Sequence, residues 1–517
     1  MQTSLRAPLP ILCLSPLWLL LGAFAACGDS GDKGGAGTGD GGAAGVVGEG
    51  EGEGEGEGEG EGGDPRDKAK EIPDFEDFQV SFYYPRTERD GTQTQSDLYV
   101  TGAITTENAS EWFKTSQETD RPFIPGRDVE GFIRPITQDP GTGNSLIQCA
   151  SCLVSRDGKV LAWAEADVQN GETELLTAPF NAGWGLDLVQ KRHGPRDGPD
   201  GKIDTRNLGF AGDWLVYGLV RGDQMLVKSQ DSKYGTNDHL LEKLPGGGGF
   251  IVDPKGAVVV TLKVLTLASM AVSAAVPSGG GDPTTLHLFE VDGASTGSDY
   301  SGSERGAVSP DGSLIAIVTA ARTSVASPSD LKLNILVTNP RDEGDALRHT
   351  LRLGPSGQNA CDTPRAQGEF TQVTQPPIWS PEGDFIYVLG RNRAGCQNPL
   401  SVPDTDILRI PVAENGELGA PVNLTQNRPD YDHPRRLVIE QMALSPDGKV
   451  FILSAVPTDG IKSTDLFLMS ARVNEVYDEL LDPEGGNRPD ATLFSVVQRL
   501  TRKGRFDARN PQTFPLR

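Results

Sequence analysis

One short turn, repeated along the chain and each time running into β-forming residues, constrains the fold more than any other feature. Val308-Ser309-Pro310-Asp311-Gly312 leads into Leu314-Ile315-Ala316-Ile317-Val318, and Trp379-Ser380-Pro381-Glu382-Gly383 leads into Phe385-Ile386-Tyr387-Val388. Leu444-Ser445-Pro446-Asp447-Gly448 leads into Val450-Phe451-Ile452-Leu453. A fourth copy, Val154-Ser155-Arg156-Asp157-Gly158, puts Arg in place of Pro and runs into Val160-Leu161-Ala162-Trp163. The chemistry favours a tight reversal: Ser or Asp bonds back to nearby backbone N–H groups, Pro presets φ at the first corner, and Gly accepts a left-handed position. Self-similarity at such a spacing marks an array of like units, so the repeat decides the architecture.

Two looser copies fill the remaining gap: Val252-Asp253-Pro254-Lys255-Gly256 before residues 257–262, and Ala211-Gly212-Asp213 before Trp214-Leu215-Val216-Tyr217. The count is six, at spacings of roughly 40 to 70 residues, so several loops carry insertions. Further strands follow within the units, at 286–291, 331–337, 407–411 and 465–469. Units of this size and strand content are blades of a β-propeller, which packs small sheets radially and so protects their edges. An all-helical fold is excluded, and a β-sandwich of repeated hairpins is the competing arrangement.

These repeats resemble the WD40-like (PD40) propeller repeat of the TolB-like family, which reads as an aromatic residue, Ser-Pro-Asp-Gly, two strands and a terminal Leu-Thr. Trp379 matches the aromatic residue, and Leu424-Thr425 and Leu500-Thr501 match the terminal pair. The resemblance covers about residues 130 to 510. It implies an all-β, six-bladed propeller in the cell envelope, over 131–517. It does not extend to the α/β domain that precedes the propeller in the Tol protein, because 71–130 holds strand-like runs (79–84 and 97–104) and reads as a separate β-rich segment. A propeller closes by pairing chain ends within a blade, and Arg505 to Phe514 and Phe132 to Thr137 are the expected closing segments.

The first 26 residues carry Arg6, an apolar run from Ile11 to Phe24 interrupted by Ser15 and Pro16, then Ala25 and Ala26, which is a secretory signal with its parts in order. The run is too short for a spanning helix of about 20 residues. Phe24-Ala25-Ala26-Cys27 resembles the bacterial lipobox, with Phe24 where Leu is usual. The resemblance implies that Cys27 becomes the first mature residue and carries acyl chains into the membrane. Gly28, where lipoproteins kept at the inner membrane often have Asp, directs the expectation to the outer membrane of a Gram-negative bacterium. Residues 27–70 then form a linker, with Glu and Gly alternating from Gly48 to Gly62. That alternation has no apolar face to bury, so it reads as a disordered, hydrated spacer with a reach of roughly 35 Å.

Four cysteines remain once Cys13 leaves with the signal and Cys27 is lipidated. An oxidising envelope makes disulfides of them, and Cys361–Cys396 with Cys149–Cys152 is the expected pairing among three connectivities. A redox role for the second pair lacks the helix N-terminus that activates a thiolate, and Leu153 stands where a covalent haem requires His. Asp197, Asp200 and Asp204 lie in a stretch partly resembling a calcium loop, although Arg196, Gly198 and Asn207 occupy positions where that loop places ligands, so an acidic surface loop is the plainer reading. Gly293-Ala294-Ser295-Thr296-Gly297 has G-x-S-x-G spacing but leads into more Gly and Ser rather than a helix. The five histidines (His193, His239, His287, His349, His433) show no metal-type pairing.

No catalytic set and no cofactor therefore emerge. A formal charge of −25 without a basic stripe argues against nucleic acid. The expected function is a monomeric, membrane-anchored envelope scaffold whose propeller binds a protein or polymer. The alternatives are a small-ligand-binding or hydrolytic propeller with its site in the central channel, and a structural surface protein with no discrete ligand.

Overall fold

The computed structural model divides into two units, Met1–Glu61 and Gly62–Arg517. It describes residues 73–87, 93–107, 109, 133–135, 145–147, 153–167, 173–179, 190–193, 202–232, 238–245, 249–266, 269–278, 284–290, 306–322, 331–338, 349–353, 370–392, 405–425, 437–457, 464–473, 497–501 and 509–516, all in the second unit. The signal, Cys27 and the Gly/Glu linker lie outside the described residues.

Every strand pairing is antiparallel. Strands β1 (Phe78–Thr87), β2 (Gln93–Thr101) and β3 (Ile133–Pro135) open the first blade. The second holds β4 (Ser145–Ile147), β5 (Leu153–Val154), β6 (Val160–Asp167), β7 (Thr173–Pro179) and β8 (Gln190–His193), with β4 and β5 both pairing β6. The third is β9 (Lys202–Ala211), β10 (Trp214–Arg221), β11 (Gln224–Asp231) and β12 (His239–Pro245), and the fourth is β13 (Gly249–Val252), β14 (Val259–Thr266), β15 (Ser269–Ala275) and β16 (Thr284–Glu290). The fifth is β17 (Gly306–Val308), β18 (Ile315–Arg322), β19 (Leu331–Thr338) and β20 (His349–Arg352). The sixth comprises β21 (Phe370–Val373), β22 (Ile378–Trp379), β23 (Phe385–Asn392), β24 (Thr405–Pro411) and β25 (Val422–Asn423), with β21 and β22 both on β23. The seventh is β26 (Leu437–Leu444), β27 (Val450–Pro457), β28 (Asp465–Ser470) and β29 (Val497–Arg499). The last strand, β30 (Arg509–Pro515), returns to pair β1, so the first blade runs β3-β2-β1-β30.

The described residues thus form seven sheets where the turn copies give six. The additional blade is the one made from both chain ends, and it has a physical reason for escaping notice. In the other blades the recurring turn joins the first strand to the second. In the first blade those positions fall to β30 and β1, which no turn connects. Residues 78–101, set apart from the propeller in the sequence reading, are therefore inside the ring. Of the two expected closing segments, the tail pairs β1 with Gln79 opposite Phe514 and Val80 opposite Thr513, whereas Ile133–Pro135 is the opposite edge of the same sheet.

The blades pack face to face around the ring. Strand β27 shows why its sequence is an unbroken apolar run rather than an alternating one. Val450 and Ile452 pack with Phe78, Val80 and Phe82 of the first blade, while Phe451 and Leu453 pack with Tyr387 and Leu389 of the sixth. Strand β18 repeats the arrangement, with Ile315 and Ile317 against the fourth blade and Ala316 and Val318 against the sixth. Both faces of a middle blade are core, so both phases of its period-two pattern are apolar. Leu215, Tyr217 and Leu219 meet Val160 and Ala162 of the second blade, and Val216 and Val227 meet Val259 of the fourth. The ring is completed where Val154 N–H donates to the Gln512 side-chain oxygen across the first and second blades, at 3.0 Å.

Candidate functional site

The recurring turns build one rim of the ring. In each Ser copy the hydroxyl accepts the backbone N–H five residues on: Ser155 from Val160 (2.9 Å), Ser309 from Leu314 (2.9 Å), Ser380 from Phe385 (3.0 Å) and Ser445 from Val450 (3.1 Å). The same hydroxyls donate to Asp157, Asp311 and Asp447 at 2.5–2.7 Å, and where Glu382 replaces the turn Asp, Ser380 turns to Asp384 instead. Asp253 plays the Ser part in the fourth blade, accepting from Lys255 and Ala257 N–H. Burial pushes the Asp311 carboxyl up, but hydrogen bonds from Ser309 and Ser313 outweigh it and hold the group at about 2. Asp157 is lowered in the same manner. Carboxylates this reluctant to take a proton are poor general bases, so the Ser155–Asp157 and Ser309–Asp311 pairs serve to lock their turns.

Neighbouring turns touch. The Pro381 ring lies where a Cβ on Gly448 would meet it at 2.7 Å, and Pro310 stands 3.7 Å from the corresponding position on Gly383. The Trp379 indole N–H donates to Ala307 O at 3.0 Å, tying the sixth blade to the fifth. The chain leads into β1 across this rim: Glu76 N–H donates to Asp447 (2.8 Å), and the Lys449 ammonium donates to Asp74 O (2.8 Å).

Beneath that lead-in, between the sixth and seventh blades, lies a cleft of about 440 Å³. Its floor is aromatic and cationic. The Arg409 guanidinium sits over the Phe385 ring, 5.1 Å from its centroid, and Tyr387 meets Phe451 edge-on at 4.9 Å. The Arg409 Nε–H is buried with no hydrogen-bond partner among the described residues, a costly state for a charged donor. Burial pushes the Tyr387 phenol up to about 12 against the opposing pull of Arg409, so it stays protonated and able to donate. Glu382, Asp384, Lys449 and Arg472 stand around the mouth. The cleft offers donors, a cation and a ring face to a ligand, and Ser380 in its lining is committed to the turn.

A second repeated device closes the outer strands. The Thr425 hydroxyl accepts from Ile407 N–H (3.1 Å) and donates to Asp406 (2.6 Å), while Thr501 accepts from Leu466 N–H (2.8 Å) and donates to Asp465 (3.3 Å). The terminal Leu-Thr pair was visible in the sequence. The buried Asp at the start of the neighbouring strand, second in β24 and first in β28, was not singled out; Asp406 and Asp465 stand 19 and 36 residues before their threonines.

Of the residues singled out for chemistry, Cys27, Cys149, Cys152, Cys361, Cys396, Asp197 and Asp200 lie outside the described residues, as does the 293–297 stretch. Asp204 lies on β9, where its carboxylate accepts the Asn207 side-chain N–H at 2.9 Å. Among the described residues no three His, Cys, Asp or Glu side chains gather as metal ligands. His239 packs edge-on against Trp214.

No protein-family profile matches the chain, and no curated protein matches it by sequence. Among solved structures it is similar to a putative 6-phosphogluconolactonase from Bacteroides uniformis, at 13% identity and TM-score 0.43 over 77% of this chain and 96% of that one. It is also similar to TolB from Acinetobacter baumannii, at 9% identity and TM-score 0.36 over 85% and 83%. The β-propeller domain of the Trilobed protease from Pyrococcus furiosus aligns at 10% identity and TM-score 0.40 over 75% and 89%. Such likenesses concern architecture alone, and the blade order rests on the strand pairings above.

Proposed function

We propose that this chain is an envelope lipoprotein, acylated at Cys27 and held at the outer membrane, whose propeller is a scaffold for a protein or polymer partner. The observation that carries the binding reading is the cleft between the sixth and seventh blades. A half-buried guanidinium whose buried Nε–H has no partner among the described residues, a protonated tyrosine and an aromatic floor are recognition groups, and Ser380 is spent on a turn. The lead-in to β1 is fastened at the lip of that cleft. The hydrolytic alternative requires a nucleophile beside a competent base, and the carboxylates of Asp157 and Asp311, held low by their hydrogen bonds, are poor ones.

The test is crosslinking of the membrane-bound protein in its native host, with partners identified by mass spectrometry, beside Cys27→Ala and Arg409→Ala forms. A reproducible envelope partner lost from both variants supports the reading. Equal recovery from the Arg409→Ala form removes the cleft from it. Mature protein beginning after Ala26 without lipid removes the anchor.

A further inference from the structure

A second cleft, of about 400 Å³, opens beside the β10–β11 hairpin of the third blade, and its lining departs from the acidic balance of the chain. Alternation on β11 sends Met225 and Val227 into the core shared with the fourth blade and Leu226 toward the second, so Gln224, Leu226 and Lys228 share one face. Leu226 pairs with Lys243 across the β11–β12 ladder, and the register then shifts so that Lys228 faces Leu240. The bulge turns Leu241 into the core and leaves Leu240 on the cleft side, 48% exposed. Arg221, opposite Gln224 at the hairpin end, adds a third cation.

The charges do not balance. Lys228, only 8% exposed, is 3.5 Å from Asp238, the one carboxylate among the described lining residues. Among the described residues Arg221 and Lys243 make no ion pair. Arg221 and Lys243 bring two exposed positive charges beside the Lys228–Asp238 pair, and like charges so placed repel one another. Beside them Leu226 and Leu240 form an apolar wall.

We infer that this cleft binds a small organic anion, its oxyanion group held by Arg221, Lys228 and Lys243 and its apolar portion laid on Leu226 and Leu240. The volume falls within the range of about 300–1,000 Å³ usual for small-molecule sites. The site is separate from the partner cleft and stands or falls independently of it.

Titration calorimetry on the full chain at physiological salt tests this with hexanoate and monohexyl phosphate, beside hexanol and inorganic phosphate as half-ligands. Saturable binding of at least one whole probe, about tenfold or more tighter than either half, is expected, and which probe wins separates a carboxylate ligand from a phosphate one. Lys243→Glu and Arg221→Glu, both at exposed positions, weaken it at least about tenfold, whereas Lys255→Glu on the distant rim leaves it unchanged. Thermal melts of the variants confirm the fold. No saturable heat with either whole probe, or equal affinity in Lys243→Glu and Lys255→Glu, overturns the site.

Discussion

Replacing Thr425 with valine exchanges a hydroxyl for a methyl at nearly constant shape, in a side chain with no solvent exposure. Counted by apolar surface alone the change stabilises, by about 1 kcal/mol. The hydrogen bonds oppose it. Ile407 N–H loses its side-chain acceptor at 3.1 Å, and the Asp406 carboxylate, itself 1% exposed, loses a donor at 2.6 Å. A buried group deprived of its partner costs about 1–3 kcal/mol, and a bond to a charged group contributes about 1.5–3. The net expectation for Thr425→Val is a loss of about 2–4 kcal/mol. Thr425→Ser keeps the hydroxyl and discards one methyl, for about 1 kcal/mol. Urea unfolding at neutral pH, followed by tryptophan fluorescence, should therefore rank wild type above Thr425→Ser and Thr425→Ser above Thr425→Val. Thr501→Val should follow the same rule more mildly, because its bond to Asp465 is longer, 3.3 Å. The two sites lie in different blades, so the double variant should lose about the sum. A valine form that unfolds at or above the urea concentration of the serine form would mean that shape, not the hydroxyl, holds these strands.

Two further outcomes are expected. Gly448 and Gly222 both adopt positive φ, +76° and +63°, but only Gly448 has a neighbouring blade against its Cα. Gly222→Ala should cost about 1–2 kcal/mol for its backbone alone, and Gly448→Ala that much plus about 1–3 for crowding against Pro381; equal losses would deny the turn-to-turn contact. Asp311 has a folded value of about 2 against an ordinary 3.8, so its contribution is present above about pH 4 and disappears as pH falls toward 2. Urea midpoints at pH 5, 3.5 and 2.5 should fall less steeply for Asp311→Asn than for wild type, and parallel slopes would show that this carboxylate is idle.

The turn chemistry made most of the ring legible. Each Ser-x-Asp-Gly copy names its own hydrogen bonds, and each is followed by a run apolar in both phases, which only a strand covered on both faces requires. Asp253 could be recognised as a Ser substitute because its carboxylate also bonds back to turn N–H groups, those of Lys255 and Ala257. The first blade was not countable, since its inner strand comes from the far end of the chain and no local pattern spans that distance. The two clefts were hidden for a related reason. Arg409 and Phe385 belong to different strands, and Lys243 and Leu240 reach the face of Lys228 through a pairing register and a bulge, respectively, that neither strand's own sequence declares.

The first blade also sets a clock. Phe78, Val80 and Phe82 are among the earliest residues of the ring to be synthesised, and the strand that covers the free side of β1, Arg509–Pro515, comes some 430 residues later. At a rate of about 5–20 residues per second that interval is roughly 20–90 s. Throughout it β1 offers an open hydrogen-bonding edge, the kind of surface that templates aggregation, and the blades already made form an open arc. The nascent chain therefore needs either a companion that shields that edge or a delay in folding until Arg509–Pro515 arrives.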